Sequence, residues 1–245
     1  GHARQTQLQE LPPIQQNADS VAGALAQLGD HADDRTGFQL RRLQDRYVRE
    51  LALEKTLPVK EVLESFEFFA RARKHVRTRC VADLCCGHGL TGILFALFER
   101  VVERVVLIDR EQPPSHTKAL AAAIRVGPWV ADKVEYRTAR MKDVGQHLDP
   151  QTSVIAVHAC GTLTDRCLDC AVEAAGAVAL MPCCYPDRGC QAPAALQLSL
   201  GSRLAFDIDR TYRLEAAGYR VRWDAIPEEI TPMNRVLIGT RRKEV

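Results

Sequence analysis

Asp83 and Asp109 are the two acids whose positions point most directly to chemistry. Asp83 closes an apolar run, Cys80 to Ala82, and opens the turn Leu84-Cys85-Cys86-Gly87-His88-Gly89. Asp109 stands 20 residues beyond Gly89, at the end of the apolar run Val105-Val106-Leu107-Ile108. A strand, a glycine turn, an apolar helix from Leu90 to Arg100 and a second strand ending in an acid make a nucleoside-binding βαβ unit. Gly87 and Gly89 let backbone approach a ligand without a Cβ. Asp109 is placed to accept hydrogen bonds from two ribose hydroxyls.

The glycines alone do not choose the nucleoside, because Gly87, Gly89 and Gly92 also satisfy the dinucleotide spacing, whose third glycine packs helix against strand. Asp83 does choose. A carboxylate four residues before the first glycine repels a pyrophosphate. It suits S-adenosylmethionine, which carries no phosphate but an α-ammonium and a sulfonium. The stretch resembles motif I of class I S-adenosylmethionine-dependent methyltransferases, and Asp109 resembles their motif II acid. The resemblance implies that Asp83, Cys85, Gly87, Gly89, Asp109, Arg110, Met141, Asp143 and His158 bind S-adenosylmethionine, with S-adenosylhomocysteine as product. Asp143 is expected to accept from the adenine amine and Met141 to pack on the ring, with Ile108 on the other face.

His158 ends the fourth apolar run and begins His158-Ala159-Cys160-Gly161-Thr162-Leu163-Thr164-Asp165; Met181-Pro182-Cys183-Cys184-Tyr185 ends the fifth. An H-x-C-G-x-x-T-D segment followed by Cys-Cys is similar to one methyltransferase subgroup. It includes eukaryotic tRNA ribose methyltransferases and the methyltransferase domains of glutathione-S-transferase-C-terminal-domain proteins. The similarity runs from about 59 to 240 and takes in Thr231-Pro232-Met233-Asn234 before the last strand. The chain departs from the tRNA enzymes at Tyr185-Pro186, where they carry histidines.

A neutral imidazole at His158 can take a proton from an acceptor hydroxyl or ring nitrogen; a structural histidine bonded to its own loop is the alternative. Asp165 caps the following helix or orients His158. Cys183 and Cys184 have three readings: small residues of the substrate wall, a nucleophile in a Pro-Cys context, or part of a zinc set with His158, Cys160 and Cys190. No pair there has C-x₂-C spacing, so no metal is expected. Cys167-x-x-Cys170 has that spacing but lies within a helix and is expected to pack.

The elements that must hold these residues follow from periodicity. Strands are expected at 80–84, 105–108, 134–138, 154–158, 177–181, 219–225 and 235–240, with helices at 90–100, 115–126, 164–175, 192–200 and 207–217. The fold is therefore α/β, and its alternation ending in a strand pair resembles the Rossmann-like class I methyltransferase arrangement, which implies a mostly parallel seven-stranded sheet with an antiparallel last strand. Residues 1–16 read as disordered, 17–77 as a helical N-terminal extension and 78–245 as the methyltransferase domain. Within the extension a short helix over 19–28 precedes helices 38–54 and 59–76. Ligands in such sheets bind at the carboxyl ends of the strands.

The chain has 245 residues, 46% of them hydrophobic, and a net charge of +2, so no global field favours nucleic acid. Arginines at 41, 42, 46 and 49, the run Arg71, Arg73, Lys74, Arg77 and Arg79, and Arg241-Arg242-Lys243 make a phosphate-binding surface if they converge. Acids among them dilute that field. Nine cysteines in this pattern suit reduced cytoplasmic thiols. No apolar run reaches membrane-spanning length and no signal peptide is visible. The expected activity is methyl transfer to tRNA or rRNA. Transfer to a small molecule or peptide, and a cofactor-binding protein without turnover, are the alternatives, with an NAD-dependent oxidoreductase behind both.

Overall fold

A computed structural model describes residues 34–242 except 56 and 187, with side chains from residue 42 onward. The expectations for residues 1–33, including the helix over 19–28, lie outside the described residues, as do the side chain of Arg41 and the whole of Lys243.

The chain folds in the order α1 (Asp34–Glu54), α2 (Val59–Val76), β1 (Cys80–Leu84), α3 (Leu90–Phe98), β2 (Arg104–Asp109), α4 (Pro114–Val126), β3 (Val134–Thr138), β4 (Ser153–Val157), α5 (Leu163–Glu173), β5 (Val178–Met181), α6 (Ala194–Leu200), α7 (Ser202–Ala216), β6 (Tyr219–Ala225) and β7 (Arg235–Arg241). Short 3₁₀ segments at Pro128–Val130 and Met141–His147 flank β3. The seven strands lie in the order β3-β2-β1-β4-β5-β7-β6, with β1 to β5 parallel and β7 antiparallel to both its neighbours. This is the Rossmann-like class I methyltransferase sheet expected from the apolar runs.

The reversal between β1 and β4 matters most for function. Strand β1 pairs with β2 on one side and β4 on the other, so its carboxyl end faces a crevice between loops that leave in different directions. Residues 85–89, 109–111, 158–162 and 182–185 all follow strand ends on this edge.

Burial explains the element boundaries. Strands β1, β2, β4 and β5 are covered on both faces, so they read as continuous apolar runs instead of alternating ones. Helix α3 is buried along its whole length. Gly92 permits its closeness to the sheet: a Cβ there would lie 2.4 Å from Leu107 Cδ2 and 3.1 Å from Asp83 Cβ.

Helix α2 departs from the simple stripe. Ala70 is exposed, although the helical stripe through Val62, Leu63, Phe66 and Phe69 predicts it on the apolar face, while Phe68 and Ala72 are fully buried. The helix is wedged between α3 and strands β4, β5 and β7, so it buries a second row, Glu64, Phe68, Ala72 and Val76, spaced four residues apart. Phe66 and Phe69 pack edgewise on Phe98 and Phe95 of α3, and α2 shares one hydrophobic core with the sheet. Helix α1 lies on α4, where Arg125 bridges Glu50 and Glu54 and the Tyr47 hydroxyl donates to Ala119 O.

Because the Gly92 contact is made against buried Leu107, Gly92→Ala is expected to destabilise the fold by about 1–3 kcal/mol. Urea unfolding monitored by circular dichroism checks this; an unchanged midpoint would show that α3 does not depend on the close approach.

Candidate active site

The loop from Cys85 to Gly89 is held from every side. Cys85, Gly87 and Gly89 all have positive φ, at 55°, 51° and 72°. For Cys85 that backbone costs about 1–3 kcal/mol, a strain found mostly at functional sites. Asp83 is buried, and its Oδ2 accepts the Gly92 N–H at 2.8 Å, satisfying a free donor in the first turn of α3. Asp109 Oδ2 accepts the Gly87 N–H at 2.8 Å and Oδ1 accepts the Arg110 N–H at 2.6 Å. Tyr136 of β3 donates its hydroxyl to the carbonyls of Gly87 and Glu111. Each Asp109 oxygen keeps a second lone pair for a ligand.

Burial pushes the Asp83 carboxyl up to about 7, only partly opposed by the Gly92 hydrogen bond and reinforced by the Asp109 charge. Near neutral pH the group is poised between its two forms. A cation beside it favours the ionised one.

A cleft of about 570 Å³ opens between this loop and α2. Asp83, Cys85, Gly87, His88, Val157, His158 and Cys183 line it from the strand ends; Pro58, Lys60, Glu61, Glu64 and Ser65 line it from α2, and Thr231 to Met233 from the β6–β7 loop. Asn234 fixes that last loop by donating from Nδ2 to Ile226 O at 2.7 Å.

Like Gly161, at 61°, His158 also has positive φ, at 63°. Its backbone N–H donates to Met181 O, tying the β4 end to β5. Its Nε2 lies 2.9 Å from Glu64 Oε2. Glu64 is only 1% exposed, and its carboxyl is held below the usual range: burial raises it, but the His158 bond and the Lys60 ammonium, 3.2 Å away, outweigh burial. An ionised Glu64 can only accept, so Nε2 carries a hydrogen; in the neutral ring the lone pair is then on Nδ1. Nδ1 is covered and has no hydrogen-bond partner among the described residues.

One turn earlier, Glu61 Oε2 lies 3.1 Å from His88 Nε2, a bond that holds the Glu61 carboxyl low. His88 Nδ1 in turn accepts the Leu90 N–H. Glu61 and Glu64 were absent from the expected site. The available signal was Phe68 and Ala72, which put Glu64 at the head of a buried row; the acids of α2 read instead as dilution of a basic face.

The other expected residues fall as follows. Asp165 is in the first turn of α5, but its carboxylate is gripped by Arg210 at 2.9 and 3.1 Å and by Arg213 at 2.8 Å, and does not bond His158. The cap residue of α5 is Thr162, not Asp165, and Thr164 donates to Ala159 O. Fully buried Arg210 also pairs with Asp207, which accepts the Tyr185 hydroxyl at 2.7 Å and pairs with Arg235. That network fixes the Cys183–Tyr185 loop. Met141 and Asp143 sit in the 3₁₀ segment after β3, the strand whose Thr138 pairs in register with Asp109. Met141 packs on the core and Asp143 is half-buried. Ile108 is 1% exposed within the core, so its side chain is not an adenine surface. Arg110 is exposed.

The thiol of Cys85 packs toward buried Cys167, whose hydrogen bond lowers its pKa. Cys167 and Cys170 pack in the core as expected. Cys160, Cys183 and Cys184 converge, although nothing in their spacing required it: their sulfurs are 3.2, 3.5 and 3.6 Å apart. Burial, then the two neighbouring sulfurs, push the Cys183 thiol up, the opposite of what a pyrimidine-attacking cysteine needs. The arginines between 71 and 79, two on α2 and two just after it, do not form a free basic face. Arg71 pairs with Glu67, Arg73 and Arg77 with Glu99, and Arg79 with Glu103. No described helix is long and apolar enough to cross a membrane.

The sheet order, the glycine turn after β1 and the acid closing β2 together define a Rossmann-like class I methyltransferase. Residues 55–188, more than half of the chain, match a family described as a methyltransferase domain, and the chain belongs to that family. It is 22% identical over 197 residues to a glutathione S-transferase C-terminal domain-containing protein of Xenopus laevis, a match that covers 65% of the chain but only 30% of that protein's length. Among solved structures it is similar to a Corynebacterium glutamicum protein, at 13% identity and TM-score 0.51 over 93% of this chain and 99% of that one. It is also similar to an S-adenosylhomocysteine-bound Podospora anserina methyltransferase, at 14% identity and TM-score 0.49 over 95% and 98%.

The Asp83 environment predicts a pH signature. The folded carboxyl titrates at about 7 and the unfolded one near 3.8. Between those values the folded state holds a proton that the unfolded chain releases, so stability falls as pH rises through the window, by up to roughly 4 kcal/mol. Asp83→Asn is expected to flatten this fall in urea unfolding measured from about pH 4 to 8; an unchanged slope would show that another group causes it.

Proposed function

We propose that the protein is an S-adenosylmethionine-dependent methyltransferase in which His158, held by Glu64, removes the acceptor's proton. The observation that carries the reading is the Glu64–His158 pair on the wall of the same cleft that Gly87 opens. The residues fit the cofactor. The loop glycines expose backbone, Asp109 retains two acceptor positions beside Gly87, and the half-ionised Asp83 suits a cationic ligand and not a pyrophosphate. When bound, S-adenosylmethionine supplies an electrophilic methyl group.

The chain's own residues do the rest. Asp83, Gly87, Gly89 and Asp109 hold the nucleoside and amino-acid ends, with Cys85, Arg110, Met141 and Asp143 beside them. Glu64 keeps the hydrogen of His158 on Nε2 and leaves Nδ1 as the proton acceptor; a proton gained there is stabilised by the carboxylate at the other nitrogen. Nδ1 is covered in this structure, so acceptor entry must uncover it. The acceptor therefore bears a proton lost on transfer, such as a hydroxyl or ring N–H. Asp165 supports the wall through Arg210, and Cys183 forms part of that wall.

His158→Ala is expected to lower kcat by about 10²–10⁴. Glu64→Gln should lower it in the same direction by less, with any loss of cofactor affinity measured separately from the loss in kcat. Single-turnover kinetics with calorimetry check this; full turnover by His158→Ala would remove the base.

For the acceptor we infer RNA, tRNA or rRNA, on the strength of the H-x-C-G-x-x-T-D and Cys-Cys resemblance. A small molecule or peptide is the second reading, favoured by the ion pairs that neutralise Arg71, Arg73, Arg77 and Arg79. Transfer of a labelled methyl group to total cell extract should fall to background after RNase treatment; label that survives RNase and passes a small-pore filter would favour the second reading. The described helices before residue 78 are taken as part of the extension expected over 17–77, beside a methyltransferase domain expected over 78–245, and the free thiols support a cytoplasmic setting.

A further inference from the structure

The three thiols that meet at the mouth of the cleft lie in loops that leave adjacent parallel strands. Val157 and Met181, at the ends of β4 and β5, pair in register. Cys160 is three residues past the first and Cys183 two past the second. His158 N–H on Met181 O closes the gap between the two loops, and the Asp207–Tyr185 bond anchors the second one. The sulfurs form a nearly equilateral triangle with sides of 3.2, 3.5 and 3.6 Å. Its centre lies about 2.0 Å from each sulfur, the mean side divided by √3. A zinc–sulfur bond is about 2.3 Å, so an ion reaches all three from about 1.2 Å above their plane. Opening the triangle to ideal tetrahedral spacing needs each sulfur to move only a few tenths of an ångström. Three soft ligands in this geometry select zinc over magnesium or calcium, which take oxygen.

We propose that Cys160, Cys183 and Cys184 bind one zinc ion, with a fourth position open for water or an acceptor group. Three S–Zn bonds form as three S–H protons pass to solvent. Cys160 and Cys184 are exposed, giving the ion a path in, and Cys183 is shared with the cleft wall. Three protein ligands and one open position is the arrangement of a zinc site that receives an exogenous ligand, not of a closed structural one. The ion would also fasten the β4 and β5 loops together beside His158. His158 itself stands outside the group of sulfurs. The proposal does not depend on methyl transfer, since metal content is read without cofactor or acceptor.

The full chain, purified under reducing conditions and given Zn²⁺ alone, is expected to hold one zinc per chain by mass spectrometry of the metal after desalting. Cys183→Ala and Cys160→Ala should each lose most of it, while Cys80→Ala and His158→Ala keep it. Replacement by Co²⁺ should give sulfur-to-cobalt charge-transfer bands and the visible bands of a tetrahedral site, which reports thiolate ligation even where a variant folds poorly. Zinc that is absent, or retained in Cys183→Ala, overturns the proposal. So does a Cys160–Cys183 disulfide found in the freshly isolated chain with no metal bound after reduction.

Discussion

Glu61 and Glu64 stand one helical turn apart on α2, and each holds a histidine from a different strand-end loop. Glu61 takes His88 of the β1 loop; Glu64 takes His158 of the β4 loop. Through these two contacts a helix outside the βα alternation sets the spacing across the cleft. A carboxylate as buried as Glu64 is costly unless paired. Lys60 and His158 supply the pairing, so the histidine and the helix fix one another.

The sheet side of the cleft rests on two other carboxylates. Asp83 stands one residue before the end of β1 and Asp109 ends β2, and the two strands pair residue for residue. Asp83 fastens α3 through Gly92, and Asp109 fastens the loop through Gly87. The strained backbone of Cys85 and His158 is sustained by this bracing. Electrostatics then separates the roles: Asp83, buried with Asp109 nearby, titrates near neutrality, whereas Glu64, with two basic partners, stays ionised. The first can respond to a bound cation and the second is a constant orienting charge.

Much of this was legible in the sequence. Apolar runs between turns marked all seven strands to within one or two residues, because most of the sheet is buried on both faces and leaves no alternation to misread. Gly87, Gly89, Asp109 and His158 were legible because local chain direction places them on one sheet edge. Glu64 was not: 94 residues separate it from His158, and its row on α2 is visible only once both faces of that helix are covered. Asp165 misled for the related reason that Arg210 and Arg213, 45 and 48 residues on, claim its carboxylate. The meeting of Cys160 with Cys183 and Cys184 follows from β4–β5 pairing and from no local spacing.

The most direct measurement is a crystal structure of the protein with S-adenosylhomocysteine. Ribose hydroxyls on Asp109 and the amino-acid end in the cleft between Asp83, Gly87 and Glu64 are the expected result. A ligand bound away from the β1 loop, or an occupant that rests a phosphate beside Asp83, would contradict it.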